Sequence, residues 1–231
     1  MLPIRDTIRS RRFAYLNATF IALNVLVFVL EASLSQAGLQ QFLTRFGLVP
    51  AQLSLASPLS FLTLFSSMFL HGSWFHLISN MWTLYIFGDN VEERIGSGGY
   101  LVFFLLAGVI AGLTQVYFAP DSRLPVVGAS GAIAGVLGAY FVLFPHGRVL
   151  TLIPVFFLPW FVEVPAFVFL GVWFFSQLSS GLLSLGDLGG ASAFSGIAWW
   201  AHIGGFVAGL FFVRMFARRR RVVYRNDFYL D

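Results

Sequence analysis

The chain has 231 residues, of which 58% are hydrophobic and only 10% are charged. A soluble domain usually has about 25% charged residues, so this composition indicates a membrane protein and argues against soluble enzymes, nucleic-acid-binding folds and disordered chains. All 14 basic residues are Arg, and the lack of Cys excludes a disulfide, a thiolate zinc site or a thiol nucleophile within this chain.

Six apolar segments are long enough to be membrane helices, and they are expected near residues 13–31, 73–91, 99–118, 129–145, 160–178 and 197–217. They predict an all-α, polytopic membrane protein with a six-helix bundle over residues 13–217. The first segment could instead be a secretory signal peptide, although its apolar run is long for one. Between the first two segments, the amphipathic stretch Leu53–Phe69 predicts a membrane-associated loop.

The Arg residues orient this bundle. Six spans place both termini on one side, and the basic tails, residues 1–12 and 218–231, indicate that this side is the cytoplasm. Twelve Arg then lie inside, whereas only Arg45 and Arg123 lie outside. The predicted location is the inner (plasma) membrane, with lipid as a partner and no nucleic acid.

Polar residues occur near the outer starts of the second, fourth and sixth spans. His76 and Asn80 lie in the second span, Ser130 in the fourth and His202 in the sixth. Each alone is more often a packing residue than a functional one. Together they lie at one depth, and polar groups inside spans commonly mark functional sites.

Serine and histidine at this depth suggest nucleophilic chemistry. A Ser hydroxyl needs a base within hydrogen-bond reach, and His suits neutral pH. Ser130 and His202 are 72 residues apart, so only helix packing can join them. No carboxylate is placed to orient His202, which predicts a dyad rather than a triad. Small residues would allow the close helix packing, although they also occur in ordinary tight packing: Gly128, Gly131, Gly135, Gly205 and Gly209.

An oxyanion formed by serine attack would need hydrogen-bond donors. His76 and Asn80 are four residues apart, hence on one face of their helix, and both side chains can donate. The backbone amide of Ser130, at a helix start, is a further candidate.

Four separated motifs occur in order along the chain. They are His71-Gly-Ser-Trp-Phe-His76-Leu-Ile-Ser-Asn80, Glu92-Glu93-Arg94-Ile95-Gly96-Ser97, Gly128-Ala129-Ser130-Gly131 and Ala201-His202-Ile203-Gly204-Gly205. Over about residues 60 to 215 this pattern resembles the rhomboid intramembrane serine proteases. The order, the spacing and the assigned spans all agree with that family.

The resemblance implies cleavage of single-pass transmembrane proteins just inside the membrane, without a metal or organic cofactor. By this analogy Ser130 is the nucleophile and His202 the general base and then acid. His76, Asn80 and the Ser130 amide would form the oxyanion hole, and Glu92 and Arg94 a structural polar pair. The fifth helix and residues 179–196 would correspond to the gate and cap through which substrate enters.

One position departs from the family pattern. Four residues after the nucleophile, rhomboids often carry an aromatic side chain that packs on the catalytic His, whereas this chain has Ala134. Trp199 and Trp200 are candidates to steady His202 instead.

Three other functions were weighed against proteolysis. A non-catalytic rhomboid-like protein that binds transmembrane clients would not need both Ser130 and His202. A transporter or channel would need polar residues continuing inward, but the segment after Ser130 is apolar. A metalloprotease would need a motif such as His-Glu-x-x-His, which is absent from the predicted spans.

Overall fold

The computed structural model of the protein describes residues 1–155, 158–186 and 197–217. The predicted Arg-rich tail, 218–231, and residues 187–196 of the predicted cap lie outside this range. The described helices are α1 (Tyr15–Ser33), α2 (Gln36–Phe46), α3 (Thr63–Ser66), α4 (Trp74–Ile95), α5 (Ser97–Phe118), α6 (Ser130–Leu143), α7 (Ala166–Gly186) and α8 (Trp199–Phe216). The described strands are β1 (Leu2–Asp6), β2 (Arg148–Val155) and β3 (Leu158–Pro165).

The long helices give the protein the character of a polytopic membrane bundle. By length and composition, α1, α5, α7 and α8 can each cross a membrane. Helix α4 and the preceding segment Pro58–Phe69 form a fifth apolar unit, bent by 81°, which has the form of a broken span or a re-entrant loop. Helix α6 is shorter, with 14 residues. Many large apolar side chains on these helices are exposed, including Phe75, Phe175 and Phe211. The protein is therefore a mostly helical, multi-pass membrane protein.

The all-α expectation misses a small antiparallel sheet with strand order β1-β2-β3. Its hairpin, β2 and β3, occupies residues in which the fifth span was expected to begin, so that helix starts at Ala166 rather than near residue 160. Pro165 explains the difference, because proline has no backbone N–H to donate within a helix and favours an extended residue before it. The β-branched residues Val149, Thr151 and Ile153 also favour a strand.

The predicted basic tail, residues 1–12, is partly ordered against the bundle. Strand β1 pairs with β2, and the buried carboxylate of Asp6 accepts hydrogen bonds from the Asn90 side chain, at 2.9 Å, and the Tyr140 hydroxyl. Burial raises the pKa of Asp6 to about 8, since the charged form loses its hydration. The N-terminal strand is thus held against the C-terminal ends of α4 and α6.

Helix α6 is the centre of the bundle. All residues from Gly131 to Tyr140 are buried, and the helix packs against α8, α5 and α4. Every face of α6 is therefore covered by protein, which suits a helix with no charged residue.

The segment between α1 and α4 folds over the end of the bundle at which α6 begins. It contains α2, three short 3-10 turns at Pro50–Gln52, Pro58–Leu62 and Ser67–Phe69, and α3. Leu48 forms two backbone hydrogen bonds with Val126, which lies just before α6. The segment leaves the apolar side chains of Leu55, Leu59 and Leu62 exposed.

Candidate active site

The first residue of α6 meets the first turn of α8. Nε2 of His202 lies 2.8 Å from Oγ of Ser130, although 72 residues separate the two in sequence. This distance is that of a good hydrogen bond, with the imidazole within reach of the hydroxyl proton. The structure therefore brings together the two residues expected to form the dyad.

Glycines bring the two helices to backbone contact. A Cβ atom on Gly205 would collide with the carbonyl oxygen of Gly131, and a Cβ on Gly209 would collide with that of Gly135. On its other side, a Cβ on Gly135 would lie 2.5 Å from the Ala107 methyl group of α5. Larger residues would push the helices apart, so the distance between Ser130 and His202 depends on the absence of these side chains.

Gly128 was predicted to pack helices like these four glycines, but it has a different role. It precedes α6 with a φ of +120°, a region that residues with a Cβ rarely adopt. A Cβ there would lie 2.7 Å from Nε2 of His76 and 3.5 Å from Nδ2 of Asn80. Gly128 thus forms the turn before Ser130 and lets two polar side chains of α4 approach it, rather than packing two helices.

His76 and Asn80 reach this turn because of how α4 begins. The Ser73 side chain caps the helix by accepting a hydrogen bond from the His76 amide, at 3.2 Å. One turn later, Asn80 points to the same face. The expected oxyanion donors therefore lie beside the backbone that leads into Ser130.

Comparison with known proteins identifies the family. A family model described as the Rhomboid domain matches residues 58–219, well over half of the chain. The protein belongs to the rhomboid family. This match covers α3 to α8 and includes Ser130, His202, His76 and Asn80.

Several curated proteins resemble this rhomboid over part of its length. It is 34% identical over 145 residues to the "Presenilin-associated rhomboid-like protein, mitochondrial" of Homo sapiens, which covers 61% of this chain and 35% of that protein. It is 35% identical over 127 residues to "Rhomboid protease GluP" of Bacillus subtilis, and this match covers 55% of this chain and 24% of that protein. It is 30% identical over 96 residues to "Rhomboid protein 1, mitochondrial" of Saccharomyces cerevisiae, and this match covers 40% of this chain and 28% of that protein. The matched region thus spans about a third or less of these relatives.

Two aromatic rings lie near His202, although the residue four positions after Ser130 is Ala134. Trp199 lies edge-on, with its ring centre 6.3 Å from that of His202, and Trp173 of α7 lies at 6.0 Å. The second expected partner, Trp200, instead stacks on Phe118 of α5 at 3.6 Å. Ala134 is fully buried, and a Cβ on Gly205 would lie 3.3 Å from its methyl group, so a small residue suits the close contact of α6 and α8.

The rhomboid motif around Glu92 holds the start of α1. The buried carboxylate of Glu92 accepts backbone hydrogen bonds from Leu16 at 3.2 Å and Asn17 at 2.8 Å, and a third from the Ser97 hydroxyl at 2.6 Å. A carboxylate at a helix N-terminus satisfies free amides and interacts favourably with the helix dipole. Arg94, its predicted partner in a structural polar pair, lies in the last turn of α4.

Three polar residues near the site, Glu31, His71 and Gln177, were not among the residues predicted to form it. Asn80 donates a hydrogen bond from Nδ2 to Nε2 of His71 at 3.0 Å, and the buried carboxylate of Glu31 accepts one from the His71 amide at 3.1 Å. Gln177 of α7 places Oε1 2.8 Å from Nδ1 of His202. A polar residue within an apolar helix was the available signal for Glu31 and Gln177.

Proposed function

We propose that this rhomboid is an intramembrane serine endopeptidase that cleaves transmembrane-helix substrates near the extracytoplasmic face. The contact of 2.8 Å between Ser130 Oγ and His202 Nε2 is the observation that carries this proposal. The relative from Bacillus subtilis that is named a rhomboid protease supports the same activity.

The arrangement suits acyl transfer through a covalent intermediate. Nε2 of His202 takes the proton of Ser130 as Oγ attacks the carbonyl carbon of the scissile amide. The imidazolium then gives this proton to the leaving amine, which releases one half of the substrate. Water, deprotonated by the same nitrogen, attacks the acyl ester and frees Ser130. A dyad suffices for both steps, because the proton that His202 gains in each half-reaction is returned in that half-reaction.

Donors beside Gly128 suit the oxyanion of each tetrahedral intermediate. The His76 imidazole and the second N–H of Asn80 lie next to this turn, while the first N–H of Asn80 is occupied by His71. The Ser130 amide at the start of α6 is the third donor of this proposal. In a site of low dielectric, each aligned donor contributes a few kcal/mol to stabilising the transition state.

The substrates of this proposal are single-pass membrane proteins. A helical amide is shielded by its own hydrogen bonds, so a cleavable segment must unwind near Ser130, and small or helix-breaking residues at that place would help. Entry would occur from the lipid past α7, with α7 and residues 179–196 as gate and cap. Residues 187–196 of that cap lie outside the described residues.

We also propose the topology that this reaction requires. Spans α1, α4, α5, α6, α7 and α8 make six crossings, with both termini in the cytoplasm of a cell with an inner (plasma) membrane. The exposed leucines of the segment between α1 and α4 suit a membrane-associated loop. Two of the relatives are named as mitochondrial proteins, so the membrane in which this protein lies has to be tested directly.

Covalent labelling tests the activity without a known substrate. Detergent-solubilised wild type, Ser130→Ala and His202→Ala are treated with a fluorophosphonate probe, which reacts with activated serines. We expect labelling of wild type only, with all three proteins folded to the same extent. A folded wild type that is not labelled, or a Ser130→Ala variant that is labelled as strongly as wild type, would overturn the proposal in favour of a non-catalytic protein that binds transmembrane clients.

A further inference from the structure

Gln177 is a buried polar residue in the middle of an apolar helix. It is 7% exposed, and its neighbours on α7 include Trp173 and Phe174. Polar residues within membrane helices are costly and face the bundle interior when they serve a purpose. The carbonyl oxygen of Gln177 lies 2.8 Å from Nδ1 of His202, on the side of the ring opposite to Ser130.

The amide of Gln177 has a defined orientation. Its Nε2 donates to the Ser176 hydroxyl at 2.9 Å, and the Trp173 carbonyl lies at 3.4 Å from the same nitrogen. The Ser176 hydroxyl in turn donates to the Trp173 carbonyl at 2.6 Å. With the NH2 group engaged on its own helix, Oε1 is the atom that faces His202.

This orientation determines the tautomer of His202. An amide oxygen can only accept a hydrogen bond, so Nδ1 of His202 must carry the proton. A neutral imidazole has one proton, which leaves Nε2 with the lone pair that faces Ser130. The reversed amide would put the proton on Nε2, where it could not take the proton of the serine.

We infer that Gln177 is a positioning residue that holds His202 in the tautomer and orientation needed for a base. It does from α7 what a carboxylate does in a Ser-His-Asp triad, but without charge. A neutral amide suits a membrane interior, since a buried carboxylate would pay a large desolvation cost. The inference rests on the proposed function only in its consequence for rate, whereas the tautomer of His202 can be observed independently of activity.

Two substitutions separate positioning from structure. Gln177→Met keeps the length and volume of the side chain but removes the acceptor, and Gln177→Glu keeps an acceptor but adds a charge. Gln115→Met is the matched control, because Gln115 of α5 accepts a hydrogen bond from the Ala201 amide at 3.2 Å, one residue before His202. It therefore removes a Gln that supports the same helix start without contacting the imidazole.

The rate of fluorophosphonate labelling is measured between about pH 5 and pH 9, since a base with a shifted pKa moves the acid limb of such a profile. We expect Gln177→Met to lower the rate at neutral pH by about tenfold or more, since loss of the partner that orients a metal-bound His costs about 10–100-fold in affinity or activity. In Gln177→Glu, a carboxylate beside Nδ1 favours the imidazolium, so the acid limb moves to higher pH by about one unit or more. Gln115→Met should leave the position of the limb unchanged.

The tautomer is read by NMR of protein labelled with 15N in its histidine rings. We expect wild-type His202 to carry its proton on Nδ1, and Gln177→Met to show a mixture of tautomers. A wild-type proton on Nε2, or an unchanged tautomer in Gln177→Met together with an unchanged labelling profile in both variants, would overturn the inference. If wild type is not labelled at all, the proposed function fails, and the NMR result alone decides the role of Gln177.

Discussion

Gly205 of α8 lies directly against the carbonyl oxygen of Gly131 in α6, with no room for a Cβ between them. Gly131 follows Ser130, and Gly205 lies one turn after His202. The backbone contact between α6 and α8 therefore sets how far Ser130 lies from His202.

We predict that Gly205→Ala destabilises the fold and moves Ser130 out of hydrogen-bond reach of His202. The added methyl group must move the backbone of α6 or α8, and overpacking of this kind typically costs about 1–3 kcal/mol. The melting temperature in detergent should fall, and fluorophosphonate labelling should be lost or strongly reduced. Gly171→Ala in α7 is the control, because a Cβ there meets nothing within 4 Å. Equal melting temperatures and rates for the two variants would contradict this prediction.

Asn80→Ala should lower the labelling rate of a folded protein. It removes a donor beside the turn at Gly128, and loss of one oxyanion donor typically costs about 10²–10³ in rate. Asn24→Ala is a control for removal of a buried amide, since Asn24 of α1 donates to the Phe20 carbonyl of its own helix at 2.7 Å. A labelling rate in Asn80→Ala equal to that in Asn24→Ala would rule out Asn80 as a donor to the oxyanion.

Glu92→Gln should destabilise the protein without moving the pH profile of labelling. Glutamine offers one acceptor oxygen where the carboxylate has two, so one of the amides at the start of α1 loses its partner. Hydrogen bonds to charged groups contribute about 1.5–3 kcal/mol, which thermal unfolding in detergent would detect. Glu93→Gln provides the comparison, because Glu93 accepts hydrogen bonds from the half-buried Ser10 hydroxyl and the exposed Arg11 amide, and its substitution should cost less.

Because Asp6 is buried, we predict that the folded protein becomes less stable as pH rises. Its pKa is raised from 3.8 to about 8 in the folded protein, so the folded state holds a proton that the unfolded state has lost. The free energy of unfolding therefore decreases between these two pKa values. Asp6→Asn cannot ionise but keeps an acceptor for Tyr140 and a similar shape.

Melting temperatures of wild type and Asp6→Asn, measured from about pH 5 to pH 8.5, test this linkage. The variant should lose less stability than wild type over this range and be the more stable protein at the alkaline end. Asp121→Asn, in the exposed loop between α5 and α6, serves as control and should follow wild type. Parallel curves for Asp6→Asn and wild type would show that Asp6 does not ionise within this range.

The contact between Ser130 and His202 could be predicted from sequence because each step rested on a strong local signal. The Arg distribution predicted a direction for the spans, which stays a prediction, and small residues indicated faces on which helices could meet. The sheet could not be predicted in this way. Residues 148–165 are almost continuously apolar, so hydropathy does not distinguish a strand from a helix there, and Pro165 was the local sign that the helix begins later.

The partners of the site residues were harder to predict than the residues themselves. A carboxylate is the group expected to orient a catalytic His, whereas the neutral Gln177 lies beside His202 in the structure. Glu31 and His71 are 40 residues apart in sequence, and the Glu31 carboxylate accepts a hydrogen bond from the His71 backbone amide. Such a contact depends on how α1 packs on α4, for which the sequence carries no motif.

The bond between Glu31 and the His71 amide also bears on how the chain enters the membrane during synthesis. Glu31 leaves the ribosome 40 residues before its partner. Until that partner arrives, α1 carries an unmatched polar group, which is costly in lipid. We expect α1 to reach its final depth only together with α4, so that this helix pair, rather than α1 alone, is the smallest unit that the insertion machinery can release stably into the bilayer.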